Sequence, residues 1–194
     1  PNVYLRILSD GVVEIICHRS EMGQGIRTGL PAVVADELEA DWNRVKVVQA
    51  LGDAKYGSQN TDGSRSVRRF FQTMREAGAT ARHMLRQAAA QRWQVDVQSC
   101  VAEQHQVIHK ESGRKLGYGE LAALAATLPI PSPEGLTLKQ KSEWRYIGQA
   151  LPIVDMDHIL TGKAVYGADV RLPNMLFASI ERPASVYALS LIHI

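Results

Sequence analysis

The sequence predicts an α+β fold, a mixed sheet with packed helices. Three observations lead to this prediction. A strand-like run in Val3–Leu8 is followed closely by a second in Val12–Cys17, apolar residues recur at helical spacing over Leu30–Trp42, and Val45–Val48 is a further strand-like run. The resulting order is β-β-α-β, in which the helix is expected to pack on the sheet.

The first hairpin and the first helix each have local signals at their ends. Ser9–Gly11 supplies the residues of a tight turn between the first two strands. Thr28 is the expected N-cap of the helix, because its hydroxyl can accept a hydrogen bond from the first turn. Pro31 is acceptable in that turn, because the N–H group that it lacks would have no helical partner there.

A long helix, a second hairpin, a short helix and a last strand are expected further along the chain. Apolar residues form one stripe from Phe70 to about Trp93, and Ser64 or Ser66 can cap this helix. The remaining predicted elements are a hairpin of Val95–Glu103 and Gln106–Lys110, a helix in Tyr118–Leu128 and a strand in Leu176–Glu181.

Composition and charge narrow the functional class. The chain has 194 residues, of which 45% are hydrophobic and 22% charged, and its net charge is +2. This balance is typical of a globular protein and favours neither a nucleic-acid partner nor a membrane surface. No apolar run approaches the roughly 20 residues that a transmembrane helix needs. Cys17 and Cys100 are interpreted as small core residues, with a disulfide between them as the alternative.

Proline and glycine residues divide the chain into two predicted domains. Three prolines and a glycine fall within residues 129–135, which indicates a linker. We therefore expect a domain boundary in this region, after a first domain over residues 1–128. The chain starts within a strand pattern and without an initiating methionine, which indicates a piece of a longer protein.

The stretch Ser20–Gly25 connects the second predicted strand to the first predicted helix and has two glycines around Gln24. Glycine permits a positive φ angle and lets a ligand approach the backbone closely. The N-terminus of the following helix would offer free N–H groups and a partial positive charge, which suits an anion. An ordinary glycine-rich turn is the alternative.

A second polar loop, Gly52–Ser66, also leads into a helix, and loops of this length are usually functional or disordered. Basic residues cluster around the start of that helix, at Arg65, Arg68, Arg69 and Arg75. Positive charge there opposes the helix dipole, which a bound polyanion would offset; solvated surface arginines are the alternative. If the two helix starts converge, their N–H groups could hold a large phosphorylated cofactor, although neither loop has a standard nucleotide-binding sequence.

Other site chemistries have little support in the sequence. No Gly-x-Ser-x-Gly sequence occurs, and no cysteine and histidine form a recognisable catalytic pair. His105 and His109 lie in a strand-like region, where their spacing does not form a metal-chelating pair, so we interpret them as solvated residues. His18 lies close to Glu21 at the start of the glycine loop, and we expect it to hydrogen-bond the loop backbone.

Glu21–Gly25 together with Thr28 resembles the molybdopterin-binding motif of the large subunit of molybdenum hydroxylases, the xanthine dehydrogenase and aldehyde oxidase superfamily. Further segments are similar to the branch typified by the isoquinoline 1-oxidoreductase beta subunit. These segments are His18–Gly25, Leu30–Pro31, Ala35–Trp42, Thr61–Arg68 and Gly162–Gly167. Because the resemblance extends from Val3 to about Pro183, the chain is identified as an N-terminal fragment of such a subunit.

The resemblance implies roles for two groups of residues. Gln24, between Gly23 and Gly25, matches the glutamine that hydrogen-bonds an oxo ligand of the molybdenum. A second segment matches one that lies close to the pterin and phosphate end of the cofactor. That segment consists of Gly63, Ser64, Arg65 and Ser66. The implied cofactor is molybdopterin cytosine dinucleotide with molybdenum, and no residue of this chain is expected to be a direct ligand of the metal. Residues from about 148 onward resemble the start of an α/β-hammerhead domain, which implies a linker over residues 129–147 and a second domain over residues 148–194.

The implied activity is hydroxylation of a carbon next to nitrogen in an aromatic N-heterocycle, or oxidation of an aldehyde, with oxygen from water. Electrons would leave through 2Fe-2S clusters on a separate small subunit, because this chain has no ferredoxin-like cysteine run. The general-base glutamate of the family lies in a region beyond this chain, so we expect the isolated fragment to be inactive. A non-catalytic α+β binding or assembly module is the alternative.

Two further expectations concern the compartment and the end of the chain. The branch commonly carries a twin-arginine export signal, so the periplasm is expected and the cytoplasm is the alternative. Residues 185–194 depart from the family pattern and are interpreted as a truncation or junction artefact.

Overall fold

A computed structural model describes residues 2–188 of the chain. The chain divides into two compact units, residues 1–156 and 157–194. Within the described residues, the strands are β1 (Leu5–Ile7), β2 (Val13–Cys17), β3 (Val45–Gln49), β4 (Cys100–Glu103), β5 (Gln106–His109) and β6 (Lys115–Gly117). The helices are α1 (Ile26–Leu38), α2 (Arg65–Trp93), α3 (Tyr118–Ala125) and α4 (Met156–Leu160). The predicted α+β class is confirmed.

The first sheet has the order β1-β2-β3 and is mixed, as predicted. β1 and β2 are antiparallel, with Leu5 opposite Ile15, because the tight turn joins them directly. β2 and β3 are parallel, with Val13 opposite Val45, because α1 forms the crossover between them. The glycine loop therefore follows the carboxyl end of β2, at an edge where parallel strands of α/β units commonly present ligand sites.

α1 begins earlier than predicted, and this changes the position of Thr28. The helix starts at Ile26, preceded by Gly25 in the left-handed conformation. Thr28 is thus inside the helix, and its hydroxyl oxygen accepts a hydrogen bond from the backbone N–H of Val154 at 2.9 Å. The prediction of Thr28 as N-cap is wrong, and Pro31 lies within the helix beyond its first turn. A glycine able to adopt a positive φ angle allowed the helix to start one turn sooner.

α1 is buried because it contacts both the first sheet and α2. The approach of the two helices is closest at Gly78 of α2. A Cβ atom at this position would lie 2.5 Å from the carbonyl oxygen of Val34 and 2.8 Å from the Cβ of Glu37. Gly78 is therefore required by close packing, and it fixes the spacing between α1 and α2.

The second sheet has the order β4-β5-β6 and is antiparallel. The predicted hairpin is present, although its first strand begins at Cys100 and not at Val95, and the short strand β6 was missed. His105 and His109 are buried, so their interpretation as solvated residues is wrong. Ring nitrogens of His105 contact the carbonyl oxygen of Gly11 at 2.7 Å and the N–H of Asp41 at 3.1 Å. Tertiary hydrogen bonds thus satisfy a polar side chain that the local sequence places in a turn.

The segment predicted as a linker packs against α1. The carboxylate of Asp36 accepts hydrogen bonds from the backbone N–H groups of Arg145, Tyr146 and Ile147 at 2.8 to 3.0 Å. The ammonium group of Lys139 donates to the same carboxylate at 2.6 Å, and both side chains are buried. The segment is therefore held to the first unit. The domain boundaries taken from the sequence stay a prediction.

The second unit contains little regular structure within its described residues. The predicted strand Leu176–Glu181 is absent there, and Leu176, Phe177 and Ile180 are exposed. Alternating apolar residues form a strand only where another strand supplies backbone partners. The hammerhead assignment stays a prediction, and the last six residues of the doubtful tail lie outside the described residues. No helix in residues 2–188 has the length and apolar character needed to cross a membrane.

Candidate functional site

The glycine loop takes its shape from two residues with positive φ angles. Gly23 has φ 94° and Gly25 has φ 79°, a region that residues with side chains rarely adopt. A Cβ atom on either glycine would meet no described atom within 4 Å. The backbone conformation thus requires glycine here, and the space beside both residues stays open for a ligand.

The carboxylate of Glu21 occupies the N-terminus of α1. Its oxygens accept hydrogen bonds from the backbone N–H groups of Gly23 and Gly25 at 2.9 Å and of Arg27 at 3.0 Å. Burial alone would raise the pKa of Glu21, but these N–H groups outweigh it and hold the pKa below its usual range. The expectation that these donors are free for an external anion is therefore wrong for α1.

Gln24 is exposed at the tip of the glycine loop. Its side-chain oxygen accepts a hydrogen bond from the N–H of Met22 at 2.6 Å, and its amide nitrogen donates to the carbonyl oxygen of Ser20 at 3.0 Å. Both ends of the amide are thus held by the loop itself. In the described chain these two hydrogen bonds hold the exposed side chain in one orientation, and a ligand that binds Gln24 would have to replace them.

Two cavities meet at Gln24, and one of them joins the two predicted loops. The first has a volume of about 420 Å³ and is lined by Met22, Gln24, Ile26, Thr61, Asp62, Gly63, Ser64, Ser66 and Val67. The second has a volume of about 410 Å³, and its lining includes Gly23, Gln24, Gly25, Thr28, Phe71, Ile147 and Ile153. Six of the seven residues predicted to hold the cofactor therefore border two adjoining cavities.

The two loops are also hydrogen-bonded to each other. The N–H of Ser20 donates to the hydroxyl of Thr61 at 3.0 Å, and the guanidinium of Arg19 donates to the carbonyl oxygen of Asn60. These partners are 41 residues apart in the sequence. The contacts place the loop before α2 against the loop before α1, as the predicted convergence requires.

The start of α2 has no side-chain cap among the described residues. Ser64 is in the left-handed conformation with φ 52°, and its hydroxyl does not bond the first turn. Arg65, the seventh predicted cofactor residue, forms a salt bridge with Asp62. The N–H groups of this first turn consequently have no side-chain acceptor within residues 2–188, which fits a bound oxyanion.

Two buried residues beside the loops were not predicted as site residues. The ring of His18 lies between Tyr4 and Phe70, at centroid distances of 5.2 and 4.3 Å, and neither ring nitrogen has a hydrogen-bond partner in the described part of the chain. The expected hydrogen bond to the loop backbone is thus absent. Burial, helped by the charge of Arg19, lowers the pKa of His18 to about 4. Arg19 is buried as well, and a single sequence gives no signal that separates a buried arginine from a surface one.

The class of protein follows from comparison with known families. A family model described as the molybdopterin cofactor-binding domain matches residues 1–168. The chain therefore belongs to the molybdopterin cofactor-binding domain family, and the predicted relation to molybdenum hydroxylases is confirmed.

Individual relatives sharpen this assignment. The chain is 36% identical to the isoquinoline 1-oxidoreductase subunit beta of Brevundimonas diminuta, over 93% of this chain and 28% of the relative. It is 32% identical to a membrane-bound aldehyde dehydrogenase (pyrroloquinoline-quinone) of Gluconacetobacter polyoxogenes, over 96% of this chain and 24% of the relative. The chain thus spans about a quarter of the length of these curated relatives.

A solved structure supports the fold. Quinoline 2-oxidoreductase from Pseudomonas putida 86 matches with a TM-score of 0.50 and 19% identity, over 63% of this chain and 16% of that one. At this identity the match concerns the fold alone. It agrees with the α+β arrangement of helices and small sheets described above.

Proposed function

We propose that this chain is the part of a molybdenum-dependent oxidoreductase that contributes two loops to the molybdopterin site. The observation that carries the proposal is the cavity of about 420 Å³ that both loops line, with Gln24 on one side and Gly63–Ser66 on the other. When bound, the cofactor would supply electron acceptance and the activation of water. The residues of this chain would bind and orient it.

The two loops would have different tasks at this site. Gln24 offers one donor and one acceptor, and its amide could turn from Ser20 and Met22 toward an oxo group of the cofactor. Gly23 and Gly25 would let the cofactor approach the backbone, since the space beside them is open. The open start of α2 would take the phosphate end through its N–H groups, with Ser64, Arg65 and Ser66 around it.

The substrate class that we favour is an aromatic N-heterocycle, hydroxylated on carbon with oxygen derived from water. The support is the identity to a relative named for isoquinoline. Oxidation of an aldehyde by the same chemistry is the second candidate, because another relative is named as an aldehyde dehydrogenase. We further propose the cytosine dinucleotide form of the cofactor, a small 2Fe-2S partner subunit and a periplasmic location. The word "beta" in the name of the first relative is consistent with a further subunit.

The test is to extend the reading frame and produce the whole subunit with its partner in a host that makes the molybdenum cofactor. We expect stoichiometric molybdenum by elemental analysis and faster oxidation of quinoline or isoquinoline than of benzaldehyde. Gln24→Ala should lower turnover by about tenfold or more, since it removes a hydrogen bond to the reacting centre. Gln98→Ala is the matched control, because the exposed Gln98 side chain forms no hydrogen bond within the described residues.

Each other result has a definite meaning. Absence of molybdenum from the whole subunit would support the non-catalytic module instead. Full activity of the Gln24→Ala variant would show that Gln24 does not contribute to the reaction. Faster oxidation of benzaldehyde would select the aldehyde reaction. Stoichiometric molybdenum in the purified 194-residue chain would contradict our expectation that this part alone holds the cofactor weakly.

A further inference from the structure

The second cavity beside Gln24 differs from the first in the chemistry of its lining. Its volume is about 410 Å³, and within the described part of the chain no residue that lines it is charged. The first cavity, by contrast, is lined by Asp62 and by three residues that carry hydroxyl groups. An uncharged cavity of this size disfavours an ionised group and suits a neutral organic ring.

The walls of this second cavity are apolar and aromatic. Val67 and Phe71 lie one turn apart on α2 and both line it, while Val33 lines it from α1 and Ile147 from the segment that packs on α1. The ring of Phe71 packs edge-to-face against Trp144 at a centroid distance of 6.0 Å, which holds it in place. Such walls bind a planar apolar ring through burial and stacking.

Thr28 supplies a polar group to the same cavity. The residue lines the cavity although it is only 5% exposed. Its hydroxyl oxygen accepts the N–H of Val154 at 2.9 Å, but its hydroxyl proton has no acceptor within residues 2–188. Threonine commonly donates this proton to a nearby backbone carbonyl, as Thr127 does to Leu124 at 2.8 Å. Thr28 therefore retains a donor at the edge of an apolar cavity.

The two cavities adjoin, because Gln24 and Val67 line both of them. A molecule in the uncharged cavity would thus lie next to the cavity that the proposed function assigns to the cofactor. Substrate and cofactor have to be in contact during a reaction. The adjoining position consequently favours the substrate, and not a polypeptide segment, as the occupant of the uncharged cavity.

We propose that this cavity binds the aromatic N-heterocycle, with Val67 and Phe71 as apolar contacts and the Thr28 hydroxyl as the donor to the ring nitrogen. This inference rests on the proposed function and adds the place of the substrate and a residue that selects it. The hydrogen bond would draw electron density from the carbon next to the nitrogen, where the proposed reaction adds oxygen. Thr28 would act as a positioning and specificity residue, since a carbocycle of the same shape offers it no acceptor.

The experiment is NMR titration of the 194-residue chain with quinoline and with naphthalene, which has the same two fused rings but no nitrogen. We expect quinoline to shift the amide signals of Gly29, Val67 and Phe71 and to bind more tightly than naphthalene. Thr28→Val should weaken quinoline binding about three- to tenfold and leave naphthalene binding unchanged, because it removes one neutral hydrogen bond and keeps the shape. Thr28→Ser should retain the preference for quinoline. Thr80→Val, in α2 and outside this cavity, is the matched control and should leave both affinities unchanged.

A second variant tests the walls of the cavity. Val67 is 43% exposed, so Val67→Glu should fold, and its charge should weaken the binding of both ligands at least about tenfold. Leu51→Glu introduces the same charge at a residue that is 83% exposed and outside the cavity, and it should bind both ligands like the unchanged chain. If Thr28→Val does not fold, the quinoline preference of the unchanged chain and the behaviour of Val67→Glu decide.

Three outcomes would overturn the proposal. One is that the unchanged chain does not bind quinoline, or binds naphthalene equally well. Another is an equal loss of affinity for both ligands in Thr28→Val, which would leave Thr28 as a structural partner of Val154. The third is that Val67→Glu binds both ligands like the unchanged chain, which would place them outside this cavity.

The whole subunit separates this inference from the proposed function. If quinoline binds the 194-residue chain in a Thr28-dependent way and the whole subunit lacks molybdenum, the ring site stands and the proposed function fails. If the whole subunit contains molybdenum and oxidises quinoline, and Thr28→Val leaves kcat/KM for quinoline unchanged, the proposed function stands. This inference then fails, because another part of the subunit fills the cavity.

Discussion

The two helices that border the candidate site begin in opposite chemical surroundings. α1 starts after Gly25 and α2 after Ser64, and both of these residues are left-handed. At α1, the carboxylate of Glu21 accepts three backbone N–H groups. At α2, no described side chain caps the first turn, and the neighbouring charges are arginines together with the carboxylate of Asp62, which is paired with Arg65. The same backbone geometry thus produces one closed helix start and one open one.

In the sequence, both loops lead into a helix and both are predicted to bind an anion. The structure indicates that the two helix starts differ in this respect. A loop that supplies its own anion is ordered before any ligand binds, which suits the presentation of Gln24. A helix start surrounded by cations is stabilised only when an anion arrives. We therefore expect the glycine loop to be pre-formed and the loop before α2 to respond to ligand.

The largest expected effect comes from the spacing of the two helices. Gly78→Ala should lower the free energy of unfolding by about 2–3 kcal/mol, because the added Cβ would meet the backbone of α1 and force the helices apart. Gly29→Ala is the control in α1, where a Cβ meets no described atom within 4 Å and helix propensity favours alanine. Urea unfolding measures both variants. Equal stabilities would show that the close approach at Gly78 does not set the spacing.

A smaller effect on stability is expected when the Glu21 carboxylate is removed from the start of α1. Glu21→Ala should cost about 1–2 kcal/mol in the free energy of unfolding, because the N–H groups of the glycine loop lose their acceptor. It should also give α1 a new affinity for pyrophosphate. Glu111→Ala, at an exposed residue, should leave both properties unchanged. Unaltered stability of Glu21→Ala would show that the two helix starts do not differ in the way described.

The smallest effect concerns pH on the α2 side, where His18 contacts Phe70. The pKa of His18 is about 4 in the folded chain and about 6.5 when unfolded, so the unfolded chain binds the proton first as pH falls. The contribution of neutral His18 to the free energy of unfolding is therefore fully present above the unfolded pKa. It decreases as the pH falls from the unfolded pKa toward the folded pKa. We expect a loss of about 1 kcal/mol between about pH 7 and about pH 5.5.

The matched variants for this prediction are His18→Phe and His158→Gln. Phenylalanine keeps an aromatic ring between Tyr4 and Phe70 but cannot titrate, so the loss over this pH interval should shrink. His158 is exposed, and its replacement should leave the pH dependence as it was. Thermal unfolding at several pH values measures all three chains. A pH dependence that persists in His18→Phe would exclude His18 as its origin. Protonation of Glu21 adds a separate loss at lower pH, because its folded pKa is depressed.

The sequence by itself determined the elements whose signals are local. The strand-like run Val12–Cys17 and the helical spacing of apolar residues after Phe70 indicated β2 and most of α2, because both patterns are properties of the local sequence. The glycine motif around Gln24 and the segments that resemble the family were enough to identify it. The family assignment needed no knowledge of which atoms touch.

Tertiary structure alone decided which polar groups meet. In the sequence alone, a glutamate before a helix start can be a helix cap or a surface residue. The conformation of the loop places the Glu21 carboxylate within hydrogen-bond distance of the N–H groups at the start of α1. Arg19 is buried because Asn60, distant in sequence, lies over it. The buried ring of His105 forms a hydrogen bond with the carbonyl oxygen of Gly11 in the first hairpin. Such contacts depend on how distant segments pack, so no local period or spacing can report them.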